Sequence, residues 1–192
     1  MPTATRTAET DSPILDVLAD RWSPRAFSDA PLDARKLASA LEAARWSPSA
    51  NNTQPWRFIV GTKGTETFDT IVANLVGFNQ AWAGAAGALI VTIVETADEE
   101  GNPRPWASYD AGQAVAHLSV QAHHDGLFAH QMAGFLPDGI RDAFQLPAAL
   151  QPITVTALGE LGDPESLNEV LREREVAPRT RFPLSDIVLV QE

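Results

Sequence analysis

Apolar positions along the chain recur at helical and strand spacings in turn. Ser12-Pro13 precedes Ile14, Leu15, Val17 and Leu18, and proline suits a first helical turn, so a short helix is expected there. A second helix opens at Asp29 or Pro31, with Leu37, Ala40, Leu41 and Ala44 on one face. Trp56 to Gly61 reads as a strand, and Glu66–Leu75 as a helix gathering Phe68, Ile71, Val72 and Leu75. Ala88 to Val94 (ALIVTIV) is an apolar run, the mark of a strand buried on both faces. A long helix spans about Ser108 to His124, with Ala111, Val115, Leu118 and Ala122 on its stripe and alanines enough for close packing on another helix. Phe128–Phe135 reads as a strand running into a glycine turn, Leu136–Phe144 as a short helix and Ile153–Leu158 as a β-branched strand. Glu165–Glu175 reads as a charged helix and Ile187–Val190 as a strand-like tail. This mixture predicts an α/β or α+β sandwich, helices over a central sheet. Without a repeat or a linker, it is one domain over 12–192, preceded by a polar tail at 1–11.

Composition narrows the function classes. The chain has 192 residues, 44% of them apolar and 20% charged, as in soluble globular proteins. A formal charge of −11 argues against nucleic acid or an anionic membrane as partner. The absence of cysteine removes disulfides, thiolate ligands and a cysteine nucleophile, and fits a reducing cytoplasm. No apolar run reaches the roughly 18–20 residues of a membrane span, and the N-terminal residues lack the apolar core of a signal peptide. The expected compartment is therefore the cytoplasm.

The usual catalytic signatures are missing. His117, His123, His124 and His130 form no HExxH or i, i+4 pair, so no metal site is expected. There is no GxSxG, no P-loop and no GxGxxG. This leaves a binding protein, or an enzyme whose reactive group is a cofactor. The basic residues point to an anion: Arg21-Trp-Ser-Pro-Arg25 and Pro178-Arg-Thr-Arg181 each set two guanidinium groups around a hydroxyl. Either stretch alone also reads as a solvated loop. The loop Ser49–Gln54 packs hydroxyls and amides between Pro48 and Pro55, more than a helix stop and a turn require. Such groups suit the edge of a polar heterocycle or a polyol.

Taken in order, R-x-S-x-R at Arg21–Arg25, P-S-A-x-N-x-Q-P-W at Pro48–Trp56, G-L-x-x-x-x-M-A-G-F at Gly126–Phe135 and P-R-T-R-F-P at Pro178–Pro183 resemble the nitroreductase family of flavin-dependent oxidoreductases. The likeness runs from about residue 12 to residue 190. It implies an α+β sandwich with a central, mainly antiparallel sheet flanked by helices, forming a homodimer with FMN at the subunit interface. By the same resemblance Arg21, Ser23, Arg25, Arg179 and Arg181 are phosphate and ribityl ligands, and Pro48, Ser49, Ala50 and Asn52 reach the flavin from the partner subunit. Gly134 with Ala133 matches the turn facing the flavin N5/O4 edge, and Asn79 falls where an amide lies near the ring. The chain departs from the family at Ala133, where many members carry glutamate, and near Trp82, where many carry lysine. The segment Thr96–Ser108 is short, so Pro103, Pro105 and Trp106 form only a small rim.

The implied activity is NAD(P)H oxidation by a ping-pong route, hydride passing to flavin N5 and on to a small electrophilic acceptor such as a nitroaromatic or quinone. Trp82, Trp106, Phe128 and Phe135 are the candidates for the acceptor pocket wall, with ordinary core packing as the plainer reading of each. The alternatives are a flavin-binding storage or sensor protein without turnover, and a family member performing other flavin chemistry.

Overall fold

In a computed structural model that describes residues 6–191, a four-stranded sheet separates two helical layers. The start of the expected tail, residues 1–5, and Glu192 lie outside the described residues. The strands are β1 (Trp56–Thr62), β2 (Ala88–Glu95), β3 (Phe128–Met132) and β4 (Leu150–Gly159), in spatial order β1-β2-β4-β3. Every neighbouring pair is antiparallel. The fold is therefore α+β, and β1 and β3 are its two edges.

β2 explains its own composition. All of its residues from Ala88 to Val94 are buried because both faces are covered. Leu89, Val91 and Ile93 join one core with Phe68, Ile71, Trp82, Phe135 and Ile140, while Ala88, Ile90 and Val94 join another with Leu37, Ala40, Ala111 and Leu118. The first core lies beneath α3 (Glu66–Ala73), α4 (Gly77–Ala83) and α6 (Pro137–Ala143); the second lies beneath α2 (Ala34–Arg45) and α5 (Ala107–His124). The α2–α5 contact uses Ala40, Ala44, Ala111 and Ala114, all at 0% exposure, as the alanine content predicts. β4 carries Pro152 opposite Ile93, where the register shifts after Thr92, so the missing N–H falls at an irregularity in the ladder.

Several expected boundaries move. The first helix, α1, is Asp16–Asp20, because Ser12 to Leu15 stay non-helical and exposed, with Leu15 in extended backbone. α2 starts at Ala34, capped by Asp33, whose side chain accepts from the N–H of Arg35. α4 follows α3 as a separate helix not expected from periodicity. The expected helix Glu165–Glu175 splits into a 3-10 turn at Pro164–Ser166 and α7 (Glu169–Val176), with Asn168 as the cap. The tail 187–190 is not a strand: α8 (Leu184–Ile187) is followed by irregular backbone, and Leu189 is 91% exposed. A β-branched tail needs a sheet edge to pair with, and this one meets none within its own chain.

Candidate cofactor site

The stretch from Arg21 to Arg25 runs extended between α1 and α2, beside edge strand β3. Trp22 packs edge-on against Phe128, and the carbonyl of Pro24 accepts from Nδ1 of His130 at 2.8 Å. Because a carbonyl only accepts, the proton of the neutral imidazole sits on Nδ1. Burial is the main reason that His130 is pushed down to about 4, with Arg25 and Arg21 adding to it. The ring lies tilted against Trp82, with the two ring centres 4.5 Å apart.

Arg21 donates to the hydroxyl of Ser23 at 3.4 Å. Its pKa is lowered first by burial and then by Arg179 and Arg181 beside it. A guanidinium stays charged in a protein, so Arg21 remains a cation in a partly desolvated place, with two further cations beside it. Among the described residues, no carboxylate lies within 4 Å of Arg21, Arg179 or Arg181. A cluster in this state fits an anion such as a phosphate ester. Arg179 is partly committed to structure: it donates to the carbonyls of Arg6, of Ala19 at 2.6 Å and of Arg21 at 2.9 Å. Arg181 stays exposed and, among the described residues, donates only to the carbonyl of Thr180.

Arg25 stands apart from that group. Its guanidinium lies 3.9 Å from Glu175, whose side chain is wholly buried on α7. The Glu175 carboxylate accepts from the backbone N–H of Arg25 at 2.9 and 3.0 Å and from that of Ala26 at 3.0 Å. Its own carbonyl accepts from Arg6. Glu175 thus pins the segment of the first arginine cluster to the helix that leads into the second. Nothing in its surroundings, Arg174-Glu175-Val176, separates it in sequence from a solvated helical charge.

At the other end of β3 the chain turns through Ala133 and Gly134. The Gly134 carbonyl accepts from the N–H of Val76 at 3.1 Å and from Nδ2 of Asn79 at 2.9 Å, and Phe135 N–H closes on the Ala133 carbonyl at 3.1 Å. These bonds leave the Gly134 N–H without a partner among the described residues. A Cβ at 134 would stand 2.7 Å from Asn79 Nδ2 and 2.8 Å from Val76 Cγ2, so a side chain here must push the end of Asn79 or Val76 aside. Asn79 therefore braces the turn, and Ala133, exposed, presents no functional side chain. The arginine cluster and the glycine turn bracket β3, whose five residues span about 16 Å.

The polar loop lies elsewhere. It enters β1, at the opposite edge from β3, three strand spacings or about 14 Å away. Its backbone is strained: Asn51, Asn52 and Gln54 have φ of 52°, 55° and 48°. Left-handed conformations of non-glycine residues cost roughly 1–2 kcal/mol each, less for asparagine. Asp110, 3% exposed on the first turn of α5, accepts from the Ala50 N–H at 3.0 Å, and Ser49 Oγ accepts from the Gln54 N–H at 3.0 Å. The segment after β2 folds into a fixed hairpin, with Ala97 bridged to Pro103 and Arg104 held by Glu95 at 3.0 Å and the Thr53 carbonyl at 3.2 Å. Trp106, 62% exposed, stands between a cleft of about 220 Å³ shared with Asn51 and Arg104 and one of about 290 Å³ shared with Pro48 and Tyr109.

Of the aromatics expected to wall a pocket, only Trp106 is open to solvent. Trp82 is 3% exposed and stacks on Phe27 at 6.3 Å, and Phe135 is 7% exposed in the same core. Phe128 is half-buried between Trp22 and His123. These three pack because their elements turn an apolar face to the sheet. Asp110, His130 and Glu175 are the polar residues of this region that sequence reasoning missed. Among the described residues no group of three or more potential metal ligands is gathered, and no helix is long and apolar enough to cross a membrane.

Known proteins place these features in context. The family model described as Nitroreductase family matches residues 18–67, which hold the first arginine cluster and the polar loop. An uncharacterized 15.4 kDa protein in the ask 5′ region of Mycolicibacterium smegmatis is 40% identical over 140 residues, 68% of this chain and 92% of that protein. A solved oxidoreductase containing FMN is 37% identical with a TM-score of 0.90, covering 96% of this chain and 95% of its own. A family protein of Clostridium difficile 630 is 27% identical with a TM-score of 0.70, covering 90% and 94%.

Proposed function

The chain belongs to the nitroreductase family, and on that premise we propose that it is an FMN-dependent NAD(P)H oxidoreductase acting on a small electrophilic acceptor such as a nitroaromatic or a quinone. The observation that carries the reading is the cluster of Arg21, Arg179 and Arg181, which has no carboxylate within 4 Å among the described residues and lies beside β3, the strand that leads into the Gly134 turn. The chemistry that bound FMN supplies is acceptance of a hydride from the nicotinamide donor at N5 and delivery of the electrons to the acceptor in a second, ping-pong half-reaction.

The chain's own residues supply position and electrostatics. Arg21, Ser23 and Arg181 hold the phosphate, while Arg179 and Glu175 hold the backbone that carries them. The Gly134 N–H, fixed by Asn79 and Val76, is a donor aimed at charge developing on the ring edge. Pro48, Ser49, Ala50 and Asn52 close the site from a second copy of the chain, because the loop and the turn occupy opposite sheet edges. The exposed apolar tail residues Phe182, Leu184, Ile187, Leu189 and Val190 favour a homodimer on the same grounds. Trp106 offers the acceptor a flat apolar surface beside that loop.

The test is an absorption spectrum of the purified protein, followed by anaerobic addition of NADH and then of NADPH. A flavin spectrum that bleaches supports the reading and identifies the donor. A bound flavin that stays oxidised with both favours a storage or sensor role. A protein that carries no flavin and takes up none overturns the proposal.

A further inference from the structure

We propose that Asp110 is a positioning residue that sets the polar loop in the shape in which Ser49–Asn52 meet the cofactor; this rests on the FMN reading above. The loop's internal bonds fix its local shape but not its place on the body of the protein. Asn52 N–H reaches the Ser49 carbonyl at 3.0 Å, Thr53 N–H the Ala50 carbonyl at 3.1 Å, and Gln54 N–H the Ser49 hydroxyl at 3.0 Å. All of these run from loop to loop. Left to itself, a segment with three left-handed residues, none of them glycine, relaxes to a commoner conformation.

Attachment to the body comes from three elements. At the loop's exit, Arg57 of β1 donates to the Gln54 carbonyl at 2.8 Å. On the rim, Arg104 donates to the Thr53 carbonyl at 3.2 Å. From beneath, α5 contributes Asp110 to the Ala50 N–H at 3.0 Å and His117 to the Ser47 hydroxyl at 2.8 Å. These α5 residues are seven positions apart, about 10.5 Å along the helix, so one rigid element grips the loop and the chain leading into it. Asp110 is the buried one, and a carboxylate in the first turn of an 18-residue helix is favoured by the helix dipole. It is also one of three residues, with Ala50 and Trp106, that line both clefts beside the loop. Losing its carboxylate leaves the Ala50 N–H without an acceptor and frees the loop where its strained residues begin.

The test is titration of apo-protein with FMN, read by quenching of flavin fluorescence and by the visible circular dichroism of the bound flavin, in wild type, Asp110→Ala and Asp110→Asn. Asp110→Ala raises the Kd about tenfold to a hundredfold, the range covered by a lost hydrogen bond to a charged acceptor. Asp110→Asn keeps a carbonyl oxygen for Ala50 and restores most of the affinity and the dichroism. Asp110→Ser, whose side chain falls short of Ala50, stands in if Asp110→Ala fails to fold. Wild-type affinity in Asp110→Ala, or a loss that Asp110→Asn does not restore, overturns the proposal. A wild-type protein that binds no FMN overturns the cofactor reading and the proposal with it, so the two failures are told apart by the wild type alone.

Discussion

Removing the Glu175 carboxylate should loosen the phosphate end of the site before it disturbs the rest. In Glu175→Ala the half-buried N–H of Arg25 and the buried N–H of Ala26 lose their acceptor, and Arg25 loses its counter-charge. Unsatisfied buried groups cost about 1–3 kcal/mol each, and breaking a buried ion pair costs about 3–5 kcal/mol. The guanidinium stands 3.9 Å away and is 21% exposed, which puts the loss at the low end, about 3 kcal/mol. For a domain of this size that lowers Tm by about 6–12 °C. Glu175→Gln retains one oxygen for the backbone donors and should cost about 1–2 kcal/mol. The informative readout is the pair of dissociation constants for FMN and riboflavin in Glu175→Gln. Because Glu175 joins the Arg21–Arg25 segment to the helix before Arg179 and Arg181, FMN binding should weaken about tenfold more than riboflavin binding. An unchanged Tm in Glu175→Ala, or equal losses for the two ligands in Glu175→Gln, refutes this reasoning.

His130 makes stability depend on pH. Its folded pKa is depressed to about 4, mainly by burial, against about 6.5 unfolded, so the unfolded chain binds the extra proton first. The resulting stabilisation of about 3 kcal/mol is complete above pH 6.5 and is lost as pH falls toward 4. Denaturation across that window should show the slope in wild type and lose most of it in His130→Phe; an imidazole that titrates near 6.5 in the folded protein contradicts the assignment. Gly134→Ala should force Asn79 or Val76 aside, costing about 1–3 kcal/mol and weakening FMN binding at least as much as it weakens the fold; an unaffected Kd would show that the turn does not meet the cofactor.

Strong periodicity made β1, β2 and α5 legible, because each has a face or faces buried by the sheet sandwich and the sequence records it. α4 was not, since Gly77-Phe-Asn-Gln-Ala-Trp-Ala83 is held by Trp82 and Ala83 in the core rather than by helix propensity. Likewise Asp163-Pro164 forms a separate 3-10 turn ahead of α7, and the tail's β-branched residues favour a strand only where an edge is available. The arginines of the site stood out against an acidic chain. Glu175 and Asp110 could not, because a buried acceptor of backbone N–H groups and a surface helical charge are written with the same letter. Trp82 and Trp106 pose the converse problem: aromatic composition does not say which ring packs in the core and which meets solvent.

The most direct test of a site shared between two copies of this chain is complementation between Arg21→Ala and Asn52→Ala. Each homodimer should bind FMN poorly, since each damages every site. In a differently tagged, co-purified heterodimer, one site carries both defects and the other carries neither. Recovery of one tightly bound FMN per heterodimer is the predicted result. No recovery, with both variants folded and dimeric, would contradict the account by placing the phosphate cluster and the polar loop of one chain in the same site.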